Sequence, residues 1–549
     1  MRIGVIVPKC EWISGIRTLK GNTANKGECG LHVAILPWLG NVRRFQKSAH
    51  SMPPTATHNL PLVLIICGLM LAVAALGTKM ASRIGIPTAL GFIGVGMLIG
   101  GQTEIRAVLQ GYEGAYSIGN IALALILFYG GLSTEIRKVR GIWLPSITLA
   151  TVGVLGVAGA TACIIRLLVP SVPWSVAFMI GAVLGSTDAA SVLQILARER
   201  LGGRVREIVE LESGLNDPMA FVLVATFTSI AMGGSFEVST IPIIVWQMCA
   251  GALIGGLIGW LSDLGLSAFE EDSPEIYPII TIALALLAYG VAELLHSSGL
   301  LAVFMTALTL GNSADLPFRS TIVRFHASLA YLAQIVMFFV LGVMVIPETL
   351  LDVRVIASGA LIAMILAFVA RPIVVTPILL LFRFSLRESL AVSWLGLRGA
   401  VPIILMMIPM VAADTVDGQQ QLSRGFSVVF VCVVVGSIIP GSTVRWMMRF
   451  LQLRLPPVPR PSATIDMVTK TPLDTRMMMM VVQPASMLDG KYLSEAKLPG
   501  EITIALVIRG ARTHRVRGDT RFQAGDEVAL SLPERLIPIA QVMFGEAHE

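Results

Sequence analysis

The chain has 549 residues, 55% of them hydrophobic and 14% charged, with 41 Lys and Arg against 35 Asp and Glu. A soluble globular domain carries about 25% charged residues, which excludes an ordinary soluble enzyme. Apolar runs of about 20 residues, enough to cross a bilayer core of about 30 Å, recur along the chain and define a polytopic α-helical membrane protein. The basic excess is of the kind that loops on the cytoplasmic side carry, and nothing in it calls for nucleic acid.

Residues 1–57 are polar and irregular and contain Pro53 and Pro54. They lack the apolar core and cleavage site of a signal peptide. Met52 opens "MPPTATHNLPLVLIICGLML", a natural start just ahead of the first span. Residues 1–51 are therefore expected to be a disordered extension or a start-site artefact. Spans follow at 60–78, 84–101, 116–133, 142–169, 174–196, 206–231, 240–264, 277–295, 297–312, 325–347, 353–382, 385–411 and 425–449, about thirteen by the length a bilayer requires. The ninth is short and follows a tight "HSSG" break, which leaves twelve as the other count. With the N-terminus outside, Lys79, Arg83, Arg137, Lys138, Arg140 and the arginines of 198–206 fall in inside loops, whereas the outside loops hold Arg106, Arg354 and Arg424. This bias predicts an outside N-terminus and an inside C-terminus. The inside loop at 263–276 is acidic in "FEEDSPE", but acids weigh little in that rule.

Small residues repeat in several spans, as at Gly251, Gly255 and Gly259, a pattern that lets membrane helices approach closely. The cysteines, Cys10, Cys29, Cys67, Cys163, Cys249 and Cys432, are scattered, with neither CxxC nor zinc spacing. They support neither a disulfide framework nor a metal site and read as packing residues. After residue 450 the character changes. Residues 451–476 form a Pro-rich linker, and from Met477 short β-like runs follow: "MMMMVVQP", "ITIALVIRG", "THRVRGD" and "DEVALSLP". "LDGKYLSEAKLPG" reads as a turn and a short helix, and "ARTH" and "QAGDE" read as turns. Residues 477–549 are thus a small cytoplasmic α+β module, so small that pairing with a second copy is expected.

The ionisable residues inside the spans carry the functional information. An acid at mid-bilayer costs about 2.5–3.5 kcal/mol on insertion scales, so such residues line ion paths or pair with each other. They are Asp188 in "GSTDAAS", Glu212 and Asp217 in "ESGLNDP", Glu293, Arg371 in "ARPIVV" and Arg398 in "GLRGAVP". Arg166 and His296 lie near span ends and can reach the interface. On a helix, Glu212 and Asn216 share one face and Ser213 and Asp217 the next. Pro218 has no N–H and frees the carbonyl of Gly214. One turn then offers a carboxylate, a hydroxyl, an amide and a carbonyl, the oxygen set that a dehydrated Na⁺ or K⁺ requires. A single carboxylate holds a cation or a proton but not both, and that competition is sufficient for exchange. The other reading is a polar cluster that staples helices; its recurrence on other spans favours ion binding.

"GSTDAAS" and "GLRGAVP" share a build, with glycines beside a charge in mid-span. Unwound backbone at membrane depth is tolerated where it lines a cavity or is buried in protein. The two stand fifth among the first six spans and fifth among the last six. Interrupted segments in matching positions of two halves point to an inverted-repeat transporter with two crossing broken helices and a midplane site. Arg398 supplies fixed positive charge to the partial charges of the broken ends. Arg371 needs a partner, since an unpaired buried charge is very costly. Glu212 is the first choice and Arg398 the runner-up in that pairing.

With "AELLHSSGLLAVF" around Glu293 as the third, these five motifs, in this order and spacing, resemble the monovalent cation:proton antiporter-1 family, nearest to bacterial NhaP-type potassium/proton antiporters, over about residues 60–450. The resemblance implies an NhaA-like fold, a multi-pass protein of the bacterial inner membrane, and alternating access. It implies that Asp217, beside Asn216, carries ion and proton, with Thr187, Asp188 and Ser213 around it, and that Glu212 and Arg371 form a structural ion pair. The Asn-Asp form implies electroneutral exchange. The chain departs from the family at "LFYGGLS", where Tyr129 stands in place of the third-helix acid of many sodium exchangers, and this favours K⁺ over Na⁺. The tail is similar to TrkA-C domains, which implies a homodimer and a small regulatory ligand; no GxGxxG accompanies it, and no cofactor is implied. Membrane lipid is the other expected contact. A K⁺ channel or uniporter is the alternative, without a "TVGYG"-like filter. An intramembrane aspartyl protease is more remote, because "GSTD" replaces the required "GxGD". Deleting residues 1–51 is expected to leave insertion and exchange intact; loss of either in vesicles of the truncated protein contradicts the start-site reading.

Overall fold

Long apolar stretches punctuated by Ser, Asp, Gly and Pro give a run of helices. The computed structural model describes residues 89–100, 111–139, 141–188, 204–234, 240–269, 273–314, 316–413, 416–453, 475–484, 486–510 and 512–545, with a few positions between 64 and 72. The helices in order are α1 (Ala89–Gly100), α2 (Gly111–Ser133), α3 (Trp143–Leu168), α4 (Trp174–Val183), α5 (Val205–Ala231), α6 (Thr240–Ala268) and α7 (Ile276–Leu294). Then come α8 (Gly299–Gly311), α9 (Arg319–Met344), α10 (Val353–Leu381), α11 (Leu386–Trp394), α12 (Val401–Ala412) and α13 (Val416–Phe450). Among the described residues, eight helices are long and apolar enough to cross a membrane: α2, α3, α5, α6, α7, α9, α10 and most of α13. α1, α4, α8 and α12 are apolar but shorter. The expected span at 60–78 lies outside the described residues except for isolated positions.

Local chemistry sets the boundaries. Ser298 caps α8 through the Leu301 amide, and Asp352 caps α10 through the Arg354 amide at 2.9 Å. Ser385 and Glu388 cap each other's backbone at the start of α11, satisfying donors that a helix start leaves open. Two helices widen by a turn, at Leu149–Gly153 in α3 and at Leu366–Ala370 in α10. The second shifts the buried face of α10. Val355 and Ile362 are buried before it, Leu366 at its first position, and Arg371, Val375 and Leu379 after it, whereas Ile373 is exposed.

Two expected spans are interrupted. The one placed at 174–196 stops being helical after Val183, and residues up to Asp188 are non-helical; its remainder lies outside the described residues. The one placed at 385–411 is split into α11 and α12 around Leu395–Ala400. α4 packs on α3 and α5, and α12 packs on α2, α5 and α13. The small-residue ladder is a helix seam. A Cβ on Gly251 lies 2.7 Å from the Ser298 carbonyl, one on Gly259 lies 2.8 Å from Thr309, and one on Gly255 overlaps the backbone of Ala302. Thr306 closes the α6–α8 seam by donating to the Gly255 carbonyl at 2.9 Å.

The C-terminal module is a four-stranded antiparallel sheet of β1 (Thr475–Val481), β2 (Thr503–Arg509), β3 (Arg512–His514) and β4 (Glu527–Pro533), in the order β1-β4-β2-β3. Three details differ from expectation. "ARTH" supplies β3, because the chain reverses at Gly510 with φ +58°. The expected short helix is a single tight turn, Leu493–Glu495. A helix, α14 (Ile537–Phe544), buries Ala540, Met543 and Phe544, an i, i+3, i+4 stripe too short to stand out from the strand-like pattern before it. Asp526 is buried and takes a bidentate bond from Arg509 at 2.7 and 2.8 Å. That bond raises the affinity of the Arg509 guanidinium for its proton.

Gly255 and its neighbour separate close packing from helix propensity. Gly255→Leu is expected to cost about 1–3 kcal/mol or more through overpacking, whereas Gly256, with open space around it, should accept Leu. Thermal unfolding of the two purified variants in detergent checks the difference.

Candidate ion-binding site

α5 carries "ESGLNDP" through its middle, and every residue from Leu211 to Ala220 is buried. Pro218 sits inside the helix without ending it. Its missing N–H leaves the Gly214 carbonyl without a helical donor. The four polar side chains take different partners. Glu212 turns to α10, where its Oε1 accepts from Arg371 Nη2 at 2.8 Å, and both side chains are 3% exposed. Arg371 Nε donates to the Ser393 carbonyl in α11 at 3.1 Å. Gly396 makes room for this guanidinium, since a Cβ there would overlap Arg371.

Ser213 and Asn216 meet one residue, Thr187, from the non-helical segment after α4. The hydroxyls of Thr187 and Ser213 are 3.0 Å apart, and Asn216 Nδ2 donates to Thr187 Oγ1 at 2.6 Å. The i,i+4 grouping of Glu212 with Asn216 is thereby divided. Thr187 lies where the i,i+3 pair Ser213 and Asn216 converges, and Glu212 turns instead to Arg371.

The two interruptions touch. The Asp188 amide donates to the Leu397 carbonyl at 3.0 Å. Arg398 Nη1 donates to the carbonyls of Gly185, at 3.0 Å, and Ser186. It thus places a cation at the negative end of α4. Ser437 of α13 donates to the Arg398 carbonyl. Gly399 gives the Asp188 carboxylate its space, because a Cβ there would overlap it. Asp188, next to Thr187 in the chain, brings a second carboxylate to the neighbourhood of Asp217.

Asp217 is 4% exposed and Asn216 fully buried. Among the described residues, Asp217 Oδ1 and Asn216 Oδ1 have no hydrogen-bond partner, and neither does Arg398 Nη2. Buried oxygens in native proteins are nearly always partnered. Two open acceptors beside two hydroxyls and a second carboxylate are what a desolvated cation or a proton can use. The pieces gather around one point of α5, and the arrangement is that of a cation:proton antiporter.

Other residues singled out from the sequence lie away from this point. Glu293 stands exposed near the end of α7 and accepts the Gly299 amide at the start of α8. Arg166 bonds the carbonyls of Pro170 and of Val172, the latter at 2.8 Å, and lies over Trp174. Tyr129 is half-buried on α2. The sequence reading missed His326, fully buried on α9, with Nε2 2.8 Å from Thr281 Oγ1 and its ring against Phe128. A histidine in an otherwise apolar span was the available signal.

Comparisons with known proteins agree with the class. The family model for the transmembrane sodium/hydrogen exchanger matches residues 65–450. The K(+)/H(+) antiporter NhaP2 of Shewanella oneidensis is 32% identical over 88% of this chain and 83% of its own length. The K(+)/H(+) antiporter NhaP of Alkalimonas amylolytica is 34% identical over 74% of this chain and 70% of its own. The solved sodium proton antiporter MjNhaP1 of Methanocaldococcus jannaschii shares the fold, with a TM-score of 0.60 at 22% identity, over 71% of this chain and 99% of its own. The chain belongs to the sodium/hydrogen exchanger family.

Glu212→Ala strands Arg371 and is expected to cost about 3–5 kcal/mol. A Glu212→Leu, Arg371→Met double variant should recover most of that loss, since apolar isosteres of a buried pair are near neutral. Unfolding temperatures of the single and double variants in detergent check both.

Proposed function

We propose that Asp217 is the residue that alternates between a monovalent cation and a proton. Asn216, Ser213, Thr187 and Asp188 complete its surroundings, and Glu212 with Arg371 holds α5 to α10. The observation that carries the reading is the pair of buried, unpartnered oxygens on Asp217 and Asn216 beside the touching interruptions. Arg398 serves the interruption and not the ion, which its bonds to the Gly185 and Ser186 carbonyls support. One titrating acid in the Asn-Asp pair suits electroneutral one-for-one exchange by alternating access.

K⁺ is the favoured cation. The potassium relatives at 32% and 34% identity support it, as does Tyr129 in the place of an acid. Na⁺ is the second reading, favoured by the Na(+)/H(+) antiporter NhaS2 of Synechocystis at 26% identity. The protein works as a homodimer in the bacterial inner membrane, N-terminus outside and C-terminus inside. Residues 58–450 are the exchanger, 451–476 a linker and 477–549 a TrkA-C-like module that takes a small regulatory ligand.

In everted vesicles, K⁺ or Na⁺ added to the wild-type protein should dissipate an imposed pH gradient. Asp217→Asn should abolish this while the protein stays folded; retained cation-dependent proton flux removes Asp217 from the role. The same assay with K⁺, Na⁺, Rb⁺ and Li⁺, with and without residues 478–549, ranks the cations and tests the module.

A further inference from the structure

The C-terminal sheet ends in a basic edge. β3 pairs with β2 on one side and is the last strand of the sheet. Arg512 on β3, and Arg515 and Arg517 in the turn after it, are exposed. Among the described residues, their guanidiniums enter no ion pair, whereas Asp526 holds Arg509 at 2.7 Å and Glu501 holds Arg535.

Backbone bonds join this edge to the turn that contains Lys491 and Tyr492. Tyr492 pairs with Arg521 as an isolated antiparallel bridge, and the Ser494 amide donates to the Gly518 carbonyl at 3.0 Å. Arg512 stands opposite Arg509 in the β2–β3 register, and Arg509 Nη2 donates to the Arg521 carbonyl at 2.8 Å. Lys491, Tyr492, Arg512, Arg515, Arg517 and Arg521 are therefore one connected patch, and all are exposed. The acids beside it are Asp489, Glu495 and Asp519. Asp489 accepts the Ala524 amide at 3.0 Å, and Glu495 accepts the Tyr492 amide at 3.2 Å. Folding of the module thus leaves a net positive surface, and no step of ion exchange uses it.

Exposed arginines around a tyrosine suit anionic headgroups. A guanidinium takes phosphate oxygens through paired N–H groups, and tyrosine settles at headgroup level, where its ring is apolar and its hydroxyl wet. The tether keeps such a surface within reach. Residues 454–474 join α13 to the sheet, and a chain of that length extends to at most roughly 70 Å. A tethered module acts at an effective concentration in the millimolar range, so weak contacts are enough. We propose that this patch docks on anionic phospholipid headgroups of the bilayer in which the same chain sits. Each basic residue near an anionic surface contributes about a fivefold preference for the docked form. Docking holds the module beside the end of α13, so its position responds to lipid charge and to ionic strength. The inference does not depend on which cation is exchanged.

The test uses the full chain in nanodiscs of phosphatidylglycerol or of phosphatidylcholine alone. A photoreactive benzoylphenylalanine in place of Tyr492 sits in the patch, and mass spectrometry reads the share of its peptide that carries a lipid adduct after illumination. The yield should be at least about fivefold higher in phosphatidylglycerol. It should fall to the phosphatidylcholine level as choline chloride rises from about 0.1 M to about 1 M, which shortens the screening length from about 10 Å to about 3 Å. Arg512→Gln, Arg515→Gln and Arg517→Gln together should weaken docking about a hundredfold, three factors of about five, and bring the yield to the same low level. Arg512→Lys, Arg515→Lys and Arg517→Lys together should keep most of it, because lysine retains the charge. Equal yields in the two lipids overturn the proposal, and so does loss of the adduct in the lysine protein. Inorganic phosphate that removes the adduct at an ionic strength where chloride does not overturns it in favour of a free anion. A cross-link to another segment of protein, in place of lipid, overturns it in favour of protein docking.

Discussion

A chain that stops being helical inside a bilayer must find partners for the backbone groups it exposes, because lipid offers none. The rest of this structure depends on how that is met. The end of α4 and the gap between α11 and α12 serve each other. The Asp188 amide bonds the Leu397 carbonyl, and the Arg398 guanidinium covers the carbonyls of Gly185 and Ser186. Ser437 of α13 takes up the Arg398 carbonyl. Each interruption would be costly alone, and together they are largely satisfied. Among the described residues, open polar atoms remain on both sides, at Asp217 Oδ1 and Asn216 Oδ1 of α5 and at Arg398 Nη2 and Ser186 Oγ of the interruptions.

That economy explains why glycines flank the charges. Gly396 leaves space for Arg371 and Gly399 for Asp188. Each glycine lets a large polar group approach backbone that a side chain would screen. α5 itself remains one continuous helix through Pro218, so it acts as an unbroken rod against which the interruptions are set. Glu212 ties the rod to α10, and Thr187 ties it to the segment after α4. Glu212 and Asp217 stand five residues apart on one element, and their neighbours, not their spacing, distinguish them.

Much of this was legible before any coordinates, for an energetic reason. Charges in apolar spans are expensive, so Asp188, Glu212, Asp217, Arg371 and Arg398 stood out individually. Glycines beside two of them marked the interruptions. Which groups meet was not legible in the same way. Glu212 and Arg371 lie 159 positions apart, and charge balance narrows the choice of partner without making it. Thr187 bridges Ser213 and Asn216 across a helix face that the i,i+4 rule divides differently. His326 was missed because one polar residue among many apolar ones carries little weight. In the C-terminal module, "ARTH" reads as a turn and "THRVRGD" as a β-like run, because a three-residue strand such as β3 has too little period to fix its own bounds.

The widened turn at Leu366–Ala370 gives the length of α10 a meaning beyond its hydrophobicity. One residue of an α-helix is worth about 100° of rotation. Leu366 is buried and Ile373, seven positions on, is exposed, so the helix leaves the turn out of phase with its approach. Arg371 is the first residue after that slip. Had the helix run through in register, the guanidinium would swing away from Glu212 toward the lipid face, with the same amino acids in the same order. The direction of the charge is therefore encoded in a count of residues, and α10 can change many of its side chains more safely than it can gain or lose one.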